Sequence, residues 1–210
     1  MKKQVKKIDT STEEKIKEAA RKLFTQKGFE AVKTRDIAAE AGINLALLNY
    51  YFRSKQKLFD VIMMENMQQF IKGVAAILLD ENASIDQKLD KLVGHYIDIL
   101  CATPDLALFI FTHVRAAAKN GKDELEIPDE IIAARNMIQK QLSAAMDAGL
   151  IVRIDPTHLM ANMMGLIIFP FIASPILKSK RGLTDKKFIE LMQERKKLIP
   201  MWLKGMLKPG

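Results

Sequence analysis

The sequence of 210 residues predicts an all-α protein with a small three-helix head and a larger helical body. Three observations predict this class. Apolar residues recur at the 3.6-residue period, helix caps and helix stops recur along the chain, and no alternating apolar and polar run is long enough to indicate a strand. The predicted head is residues 1–55 and the predicted body is residues 56–210, with the fourth helix joining them.

The first predicted helix begins at a capping box. Ser11 and Glu14 have the S-x-x-E spacing, in which each side chain accepts a hydrogen bond from the backbone of the other residue. Gly28 is the predicted end of this helix. The apolar face is expected to comprise Ile16, Ala20, Leu23 and Phe24.

Three more helices are predicted after it. A short one covers residues 34–41, and a second short one starts near Asn44, with Gly42 between them. Ser54 then caps a long helix that runs towards Leu79.

The helices of the body are also delimited by recognisable residues. Ser84 and Gln87 form another capping box, and the Thr-Pro and Asp-Pro pairs at 103–104 and 155–156 place a cap before a proline. Pro200 is expected to kink the last helix. Two further helix stops are predicted at Gly121 and Gly149. The helix over residues 129–148 has an apolar stripe of Ile131, Ile138, Leu142 and Ala145. The last helix, starting near Asp185, has a stripe of Phe188, Ile189, Met192 and Ile199.

Positive charge is concentrated in the head. Residues 1–55 contain 13 Lys and Arg against 7 Asp and Glu, whereas the remaining 155 residues contain 20 against 18. This distribution is typical of a head that binds a polyanion, and it also fits a solvated face that only keeps the chain in solution. Charge alone leaves both interpretations open.

Residues 159–177 carry no formal charge and are just long enough to cross a bilayer. Asn162, Gly165 and two prolines within them favour instead a helix buried in a core or a subunit interface. We therefore predict no membrane partner and keep a membrane-attached helical adaptor using residues 159–177 as the alternative function. The N-terminus has no apolar run of a signal peptide, and the single cysteine, Cys101, fits a reducing compartment, so we predict a cytoplasmic protein.

Residues 34–52, "TRDIAAEAGINLALLNYYF", satisfy the requirements of a helix-turn-helix. This motif needs two short helices around a tight turn, and Gly42 supplies a residue that tolerates positive φ. Ala38 gives the small side chain at which the helices cross. The residues predicted to pack inward are Ile37, Ala41, Ile43, Leu48 and Tyr51.

The helical period then turns the other side chains of the second helix outward. A recognition helix presents such residues to base edges in the major groove of DNA. Asn49 is suited to hydrogen-bonding adenine, and Leu45, Ala46 or Leu47 to contacting a thymine methyl group; packing against the first helix is an equal alternative for Leu47. The predicted outward set is Asn44, Leu45, Ala46, Leu47, Asn49 and Tyr50.

Other side chains are placed to bind the DNA backbone. The hydroxyls of Tyr50 and Tyr51 are suited to donating to phosphates, and Arg35 to binding the backbone or a guanine. Lys55 and Lys57 lie in the first turn of the fourth helix, where cations oppose the helix dipole. A phosphate at that helix start would make them favourable in the complex, although they are unfavourable in the free protein. The lysines of the N-terminal tail either add non-specific attraction or have no role.

The segment "RDIAAEAGINLALLNYYFRSKQKLF" resembles the heads of TetR-type transcriptional regulators, which carry an IA-x-x-AGV segment, an aromatic pair before Phe, then Ser-Lys and Leu-Phe. The resemblance covers residues 12–62. It implies a homodimer formed by the last two helices, an apolar ligand cavity in the body, and release from a palindromic operator when a small apolar ligand binds.

The head departs from the family pattern at two places. Lys33 stands where the family has a Ser or Thr that caps the first helix of the motif and contacts a phosphate, and Thr34 comes one residue later. Leu45 and Ala46 replace small polar residues early in the recognition helix. Base recognition is therefore expected to depend on few hydrogen bonds, with methyl contacts and DNA shape contributing more.

Eleven of the twelve methionines lie from Met63 onward, and methionine suits a cavity that reshapes around apolar guests, although ordinary core packing explains most of them. We predict no cofactor, no metal site and no enzyme activity, since His95 and Cys101 are six residues apart on a predicted helix and cannot pair as base and nucleophile. The residues predicted to line a ligand pocket are Tyr96, Cys101, His113, Met163 and Phe169.

Overall fold

The computed structural model describes residues 10–119 and 128–209, with side chains omitted for Thr10, 113–119 and Arg181. The described residues form ten α-helices and no strand, as the sequence predicts. The helices are α1 (Thr10–Lys27), α2 (Thr34–Glu40), α3 (Leu45–Phe52), α4 (Lys55–Leu78), α5 (Ile85–Ala102), α6 (Asp105–Lys119), α7 (Asp129–Asp147), α8 (Pro156–Ile172), α9 (Ser174–Arg181) and α10 (Asp185–Leu207).

The chain divides into two compact units. The division falls within α4, between Asn66 and Met67, whereas the sequence places it at residues 55 and 56, where this helix starts. The first unit therefore includes α1, α2, α3 and the N-terminal part of α4. The remaining helices belong to the second unit.

The first unit has a continuous apolar core. All four residues predicted on the inner face of α1 are at most 6% exposed, and Ile37, Leu48 and Leu58 are fully buried. The Phe29 ring packs against the Phe59 ring at 4.5 Å between centroids. Burying a large apolar side chain stabilises a fold by about 1.5–3 kcal/mol, so these residues set the crossing of α1 with the shorter helices.

An ion-pair network joins α1 to α4 within the first unit. The Lys17 ammonium lies 2.7 Å from carboxylate oxygens of both Glu14 and Glu65, and Arg21 pairs with the same two carboxylates. The hydrogen bond from Lys17 is the main reason that the pKa of Glu14 is lowered. Lys17 is nearly buried, so its two carboxylate partners offset the loss of water around its charge.

Most predicted helix ends are confirmed. Gly28 follows α1 with φ 75°, Ser84 and Gln87 form the predicted capping box of α5, and Asp155 caps α8 ahead of Pro156. The start of α1 is predicted wrongly. The described helix already includes Thr10, so Ser11 lies inside the first turn instead of at the cap.

In the second unit, α10 packs against α5 and α8. The inner face of α10 includes Phe188, Ile199 and Leu203, each at most 3% exposed. Lys88 of α5 is 1% exposed, and its ammonium donates to the Leu78 carbonyl oxygen at 2.7 Å, at the C-terminal end of α4. Burial lowers the pKa of Lys88, and the carbonyl of a helix end is a favourable partner for its charge.

The apolar segment 159–177 forms parts of two helices. The chain leaves the helical path at Ala173, two residues before Pro175, whose ring prevents continuation of the preceding helix. No single helix in the described part of the chain has the length and apolarity to cross a bilayer. Two bent pairs do by length and composition together, Ile85–Ala102 with Asp105–Thr112 and Pro156–Ile172 with Ser174–Lys180.

Candidate nucleic-acid interface

The turn between α2 and α3 has the geometry that the sequence predicts. Gly42 adopts φ 68°, and the backbone N–H of Ile43 donates to the Ala38 carbonyl oxygen at 3.0 Å. Ala38 itself is 4% exposed, which fits a small side chain at the helix crossing. The two helices are therefore connected through a glycine in the left-handed conformation. A residue with a Cβ atom would be strained in that conformation.

The third helix turns its polar side chains outward. Leu48 and Phe52 are buried beneath it, whereas Asn49 is exposed and Tyr50 is 61% exposed. The Tyr51 ring is half-buried and meets the Tyr50 ring edge-on, with 5.6 Å between centroids. Ala46 is exposed, and Leu45 and Leu47 are each half-buried. This placement gives α3 a solvent-facing surface with one amide and one phenol.

Asn44 has a local structural role. It is the N-cap of α3, and its side-chain oxygen accepts a hydrogen bond from the Leu47 backbone N–H at 2.8 Å. This oxygen therefore satisfies one of the free N–H groups at the helix start. Sequence reasoning placed Asn44 only among the groove-facing residues and missed this cap.

The start of α2 also differs from the family pattern. Lys33 is at the N-cap, and the Asp36 carboxylate accepts from the Lys33 backbone N–H at 3.0 Å. Thr34 is the first helical residue and is half-buried, and Arg35 is exposed beside it. Asp36 thus supports the helix start from within the first turn, where a negative charge interacts favourably with the dipole.

The structure corrects the expectation that Lys55 is unfavourable in the free protein. Its ammonium donates to the Phe29 and Val32 carbonyl oxygens, at 2.8 and 3.0 Å, and lies 4.2 Å from the centre of the Phe29 ring. These partners compensate the unfavourable position at a helix N-terminus. Lys57 lies in the same turn and is exposed.

Two exposed cations at the helix ends were missed as binding candidates. Lys33 stands at the start of α2, and Arg53 follows the end of α3. The motif analysis treated Lys33 only as a departure from the family pattern. Their positions next to Thr34 and Phe52 were the available indication that they flank the motif.

The comparison with known families agrees with this geometry. Residues 16–62 match the model of the bacterial regulatory proteins of the tetR family. Over these residues the chain is similar to the heads of TetR-family regulators. The match covers α1 from Ile16 onward, α2, α3 and the first part of α4, and so includes the whole helix-turn-helix.

Two curated relatives are similar to part of the chain. The "Probable HTH-type transcriptional regulator YttP" of Bacillus subtilis is 34% identical over 93 residues, 44% of each chain. The "HTH-type transcriptional repressor NicS" of Pseudomonas putida is 31% identical over 101 residues, 48% of this chain and 47% of NicS. The chain thus spans about half the length of the curated relatives it matches.

Solved structures extend the likeness in fold to nearly the whole chain. The ketosteroid transcriptional regulator KstR2 of Mycobacterium tuberculosis has a TM-score of 0.62 at 18% identity, covering 96% of this chain and 97% of its own. A TetR transcription regulator from Haloarcula marismortui has a TM-score of 0.60 at 16% identity, covering 95% of this chain and all of its own. The helical body therefore has the TetR fold.

The predicted ligand residues lie in different surroundings. Tyr96 packs edge-on against the Phe70 ring at 4.6 Å, and burial raises its pKa to about 12. Burial also raises the pKa of the half-buried Cys101 thiol. Met163 is 8% exposed, whereas Phe169 is 65% exposed and so does not line an enclosed cavity of this chain. The side chain of His113 lies outside the described residues.

Two open grooves on the second unit do not include these residues. One, of about 480 Å³, is bordered by α7 and Pro156, and the other, of about 780 Å³, runs along α10 between Ile189 and Leu198. Among the described residues, no group of three or more His, Cys, Asp or Glu is placed to hold a metal ion. The predicted ligand pocket therefore stays a prediction.

Proposed function

We propose that the chain is a ligand-responsive transcriptional repressor of the cytoplasm that binds a palindromic operator in double-stranded DNA as a homodimer. The observation that carries the proposal is the exposure of Asn49 and Tyr50 on α3, above the buried Leu48. Side chains presented in this way by the second helix of a helix-turn-helix can reach base edges in a major groove. The relative NicS is described as a transcriptional repressor, which supports repression as the direction of control.

The residues of the motif are assigned three kinds of contact. Asn49 hydrogen-bonds a base, with adenine as the preferred partner, and Ala46 and Leu45 contact thymine methyl groups. Tyr50 and Tyr51 bind phosphates through their hydroxyls. Thr34 and Arg35, at the start of α2, are assigned to the DNA backbone, with a guanine as the alternative for Arg35, and Asn44 and Leu47 stay candidates for the groove.

An exposed apolar surface supports the homodimer. We define the C-terminal face as the exposed apolar side chains of α8, α9 and α10, namely Met160, Phe169, Ile172, Ile176, Leu198, Met201, Trp202 and Met206. A contiguous exposed apolar patch marks an interaction site in soluble proteins, and these side chains lie on three consecutive helices. A second copy that buries the same face would form the isologous contact of a two-fold dimer, and two heads would then match a palindromic site.

The release of DNA is assigned to a small apolar molecule that binds the second unit, with Tyr96, Cys101, Met163 and His113 as candidate contacts. The helix α4 contributes residues to both units. A ligand that binds more tightly to one conformation of α4 would therefore change the fraction of molecules able to bind DNA.

Selection of the full-length protein on a pool of random duplex DNA tests the function. We expect enrichment of an inverted repeat whose half-sites are one helical turn apart. The Asn49→Ala variant should lose preference at one base position in each half-site, at about 1–3 kcal/mol. Asn136→Ala, which removes an exposed amide on α7, is the control and should select the same sequence. Failure of the wild type to enrich any sequence would refute the proposal.

A further inference from the structure

Lys55 is held by the loop that precedes the helix-turn-helix. This loop, residues 28–33, connects α1 to α2, and two of its carbonyl oxygens, those of Phe29 and Val32, accept hydrogen bonds from the Lys55 ammonium. The ammonium also lies over the Phe29 ring at 4.2 Å. A lysine ammonium has three donors, and these contacts direct two of them into the protein.

The same loop is anchored by its apolar side chains. Val32 is 1% exposed, and the Phe29 ring packs against the rings of Phe24 and Phe59, at 5.6 and 4.5 Å between centroids. The side chains therefore fix one side of the loop, and Lys55 binds its backbone. Hydrogen bonds from a charged donor are stronger than neutral ones, so Lys55 contributes substantially to the loop's conformation.

The loop determines where α2 begins. It ends at Lys33, the N-cap, which has no side-chain cap of its own and depends on the Asp36 carboxylate. The residues assigned to the DNA backbone at the start of α2, Thr34 and Arg35, follow immediately. A shift of the loop backbone would therefore move the start of this helix.

We propose that Lys55 is a positioning residue for DNA binding, which holds loop 28–33 and the start of α2 in place and does not itself neutralise a phosphate. The inference rests on the proposed function and changes the role first predicted for this lysine. Lys57, exposed two residues further along the same turn, is the matched cation that is available to a phosphate.

Lys55→Met and Lys57→Met separate the two roles. Both remove one charge and keep a flexible apolar stem, and both are compared with wild type at a temperature where thermal melts show each variant fully folded. Binding is measured on the duplex enriched from the random pool, at several salt concentrations. Amide hydrogen exchange of residues 28–33 is measured without DNA.

Lys55→Met should speed exchange in the loop and weaken DNA binding at an unchanged salt slope. If the loop is in place in about one tenth of the molecules, the apparent Kd rises about tenfold, while the competent molecules keep all their phosphate contacts. Lys57→Met should leave loop exchange unchanged and reduce the slope of log K against log salt by about 0.9. If Lys55→Met does not fold, Lys55→Gln, which keeps a donor but no charge, replaces it.

Two results would overturn this role. One is a slope reduced by about 0.9 in the Lys55 variant with normal loop exchange, which identifies a phosphate contact. The other is unchanged exchange together with unchanged affinity, which shows that the loop does not depend on Lys55. If the wild type binds no DNA, the proposed function fails along with the DNA role of Lys55, and loop exchange in the variant still decides whether the contact holds the loop.

Discussion

Gly73 and His95 show how closely α4 and α5 pack in the second unit. A Cβ atom added at Gly73 would lie 2.2 Å from Cε1 and 2.3 Å from Nε2 of His95. The imidazole is stacked on the Phe70 ring, and its Nε2 lies 3.1 Å from the Phe70 carbonyl oxygen. Because the ring is held by this stacking and by the contact with the carbonyl oxygen, moving it away from an added methyl group would disrupt both interactions.

Gly73→Ala should therefore destabilise the protein by about 1–3 kcal/mol, the usual cost of overpacking. Gly94→Ala is the matched control, since its Cβ would meet no atom within 4 Å beyond its own stretch of helix. That substitution should stabilise by about 0.5–1 kcal/mol through helix propensity. Thermal unfolding followed by circular dichroism measures both, and equal midpoints for the two variants would contradict the packing described.

At the scale of elements, α8 and α10 are joined where a proline interrupts the hydrogen bonding of α8. Pro170 has no N–H, so the Leu166 carbonyl oxygen four residues earlier lacks its helical donor. Arg195 of α10 donates to this oxygen at 2.8 Å, and its guanidinium lies 5.4 Å from the Trp202 ring centre. Partial burial lowers the pKa of Arg195.

A double-mutant cycle tests this pairing. Arg195→Met should destabilise the wild type by about 1–3 kcal/mol, because the partly buried Leu166 carbonyl loses its donor. In a Pro170→Ala background the loss should be smaller by at least about 0.5 kcal/mol, since the alanine N–H then serves Leu166. Urea unfolding gives the four free energies, with Lys197→Met as the exposed control on α10. Strict additivity would show that Arg195 does not replace the missing donor.

The N-cap of α8 makes the stability of the fold depend on pH in a direction that the lowered pKa of Asp155 determines. The backbone N–H of Thr157 donates to the Asp155 carboxylate at 2.7 Å, and this hydrogen bond lowers the pKa of Asp155 below 3.8. A lowered pKa stabilises the fold above the unfolded value, and the stabilisation is lost as the pH falls through the folded value. Asp155→Asn keeps a capping oxygen without a titrating group.

We therefore expect the Tm of Asp155→Asn to fall less than that of the wild type between about pH 5 and about pH 3. Near neutral pH the two should be similar, whereas Asp155→Ala should be less stable there because it loses the cap. Melting curves at the two pH values provide the comparison. If the Tm of the wild type and of Asp155→Asn fell by the same amount on acidification, Asp155 would not contribute to the pH dependence of stability.

These elements also show which features the sequence could predict. Caps and stops depend on residues within a few positions of each other, so Gly28, Ser84 and Asp155 were assigned correctly. The partners of Lys55 and Arg195 are 23 or more residues away in the chain, and periodicity carries no information about them. The break at Ala173 was missed, although Pro175 was a local indication of it.

For the whole molecule, the C-terminal face collects eight of the exposed large apolar side chains of the described residues. Met201 on α10 is 57% exposed, and Gly165 and Gly205, on α8 and α10, leave open space above their backbones. Small residues among apolar ones allow another helix to approach closely. Burial of this face in a dimer removes apolar area from water at roughly 25 cal/mol per Å².

Met201→Glu should therefore shift the protein to monomers, because a carboxylate in an apolar interface lacks a partner. Leu150→Glu, at a 70% exposed residue in the loop between α7 and α8, is the control and should leave the oligomeric state unchanged. Sedimentation equilibrium over a range of concentrations measures the association. A Met201→Glu protein that associates like wild type would exclude this face.

The central claim is that α3 and the cations around it bind duplex DNA. The most direct measurement is equilibrium binding of the full-length protein to its enriched duplex and to a shuffled duplex across a series of salt concentrations. We expect tighter binding to the enriched duplex and a log K that falls linearly with log salt, by about 0.9 for each phosphate contacted. Equal affinity for the two duplexes together with a slope near zero would contradict the account.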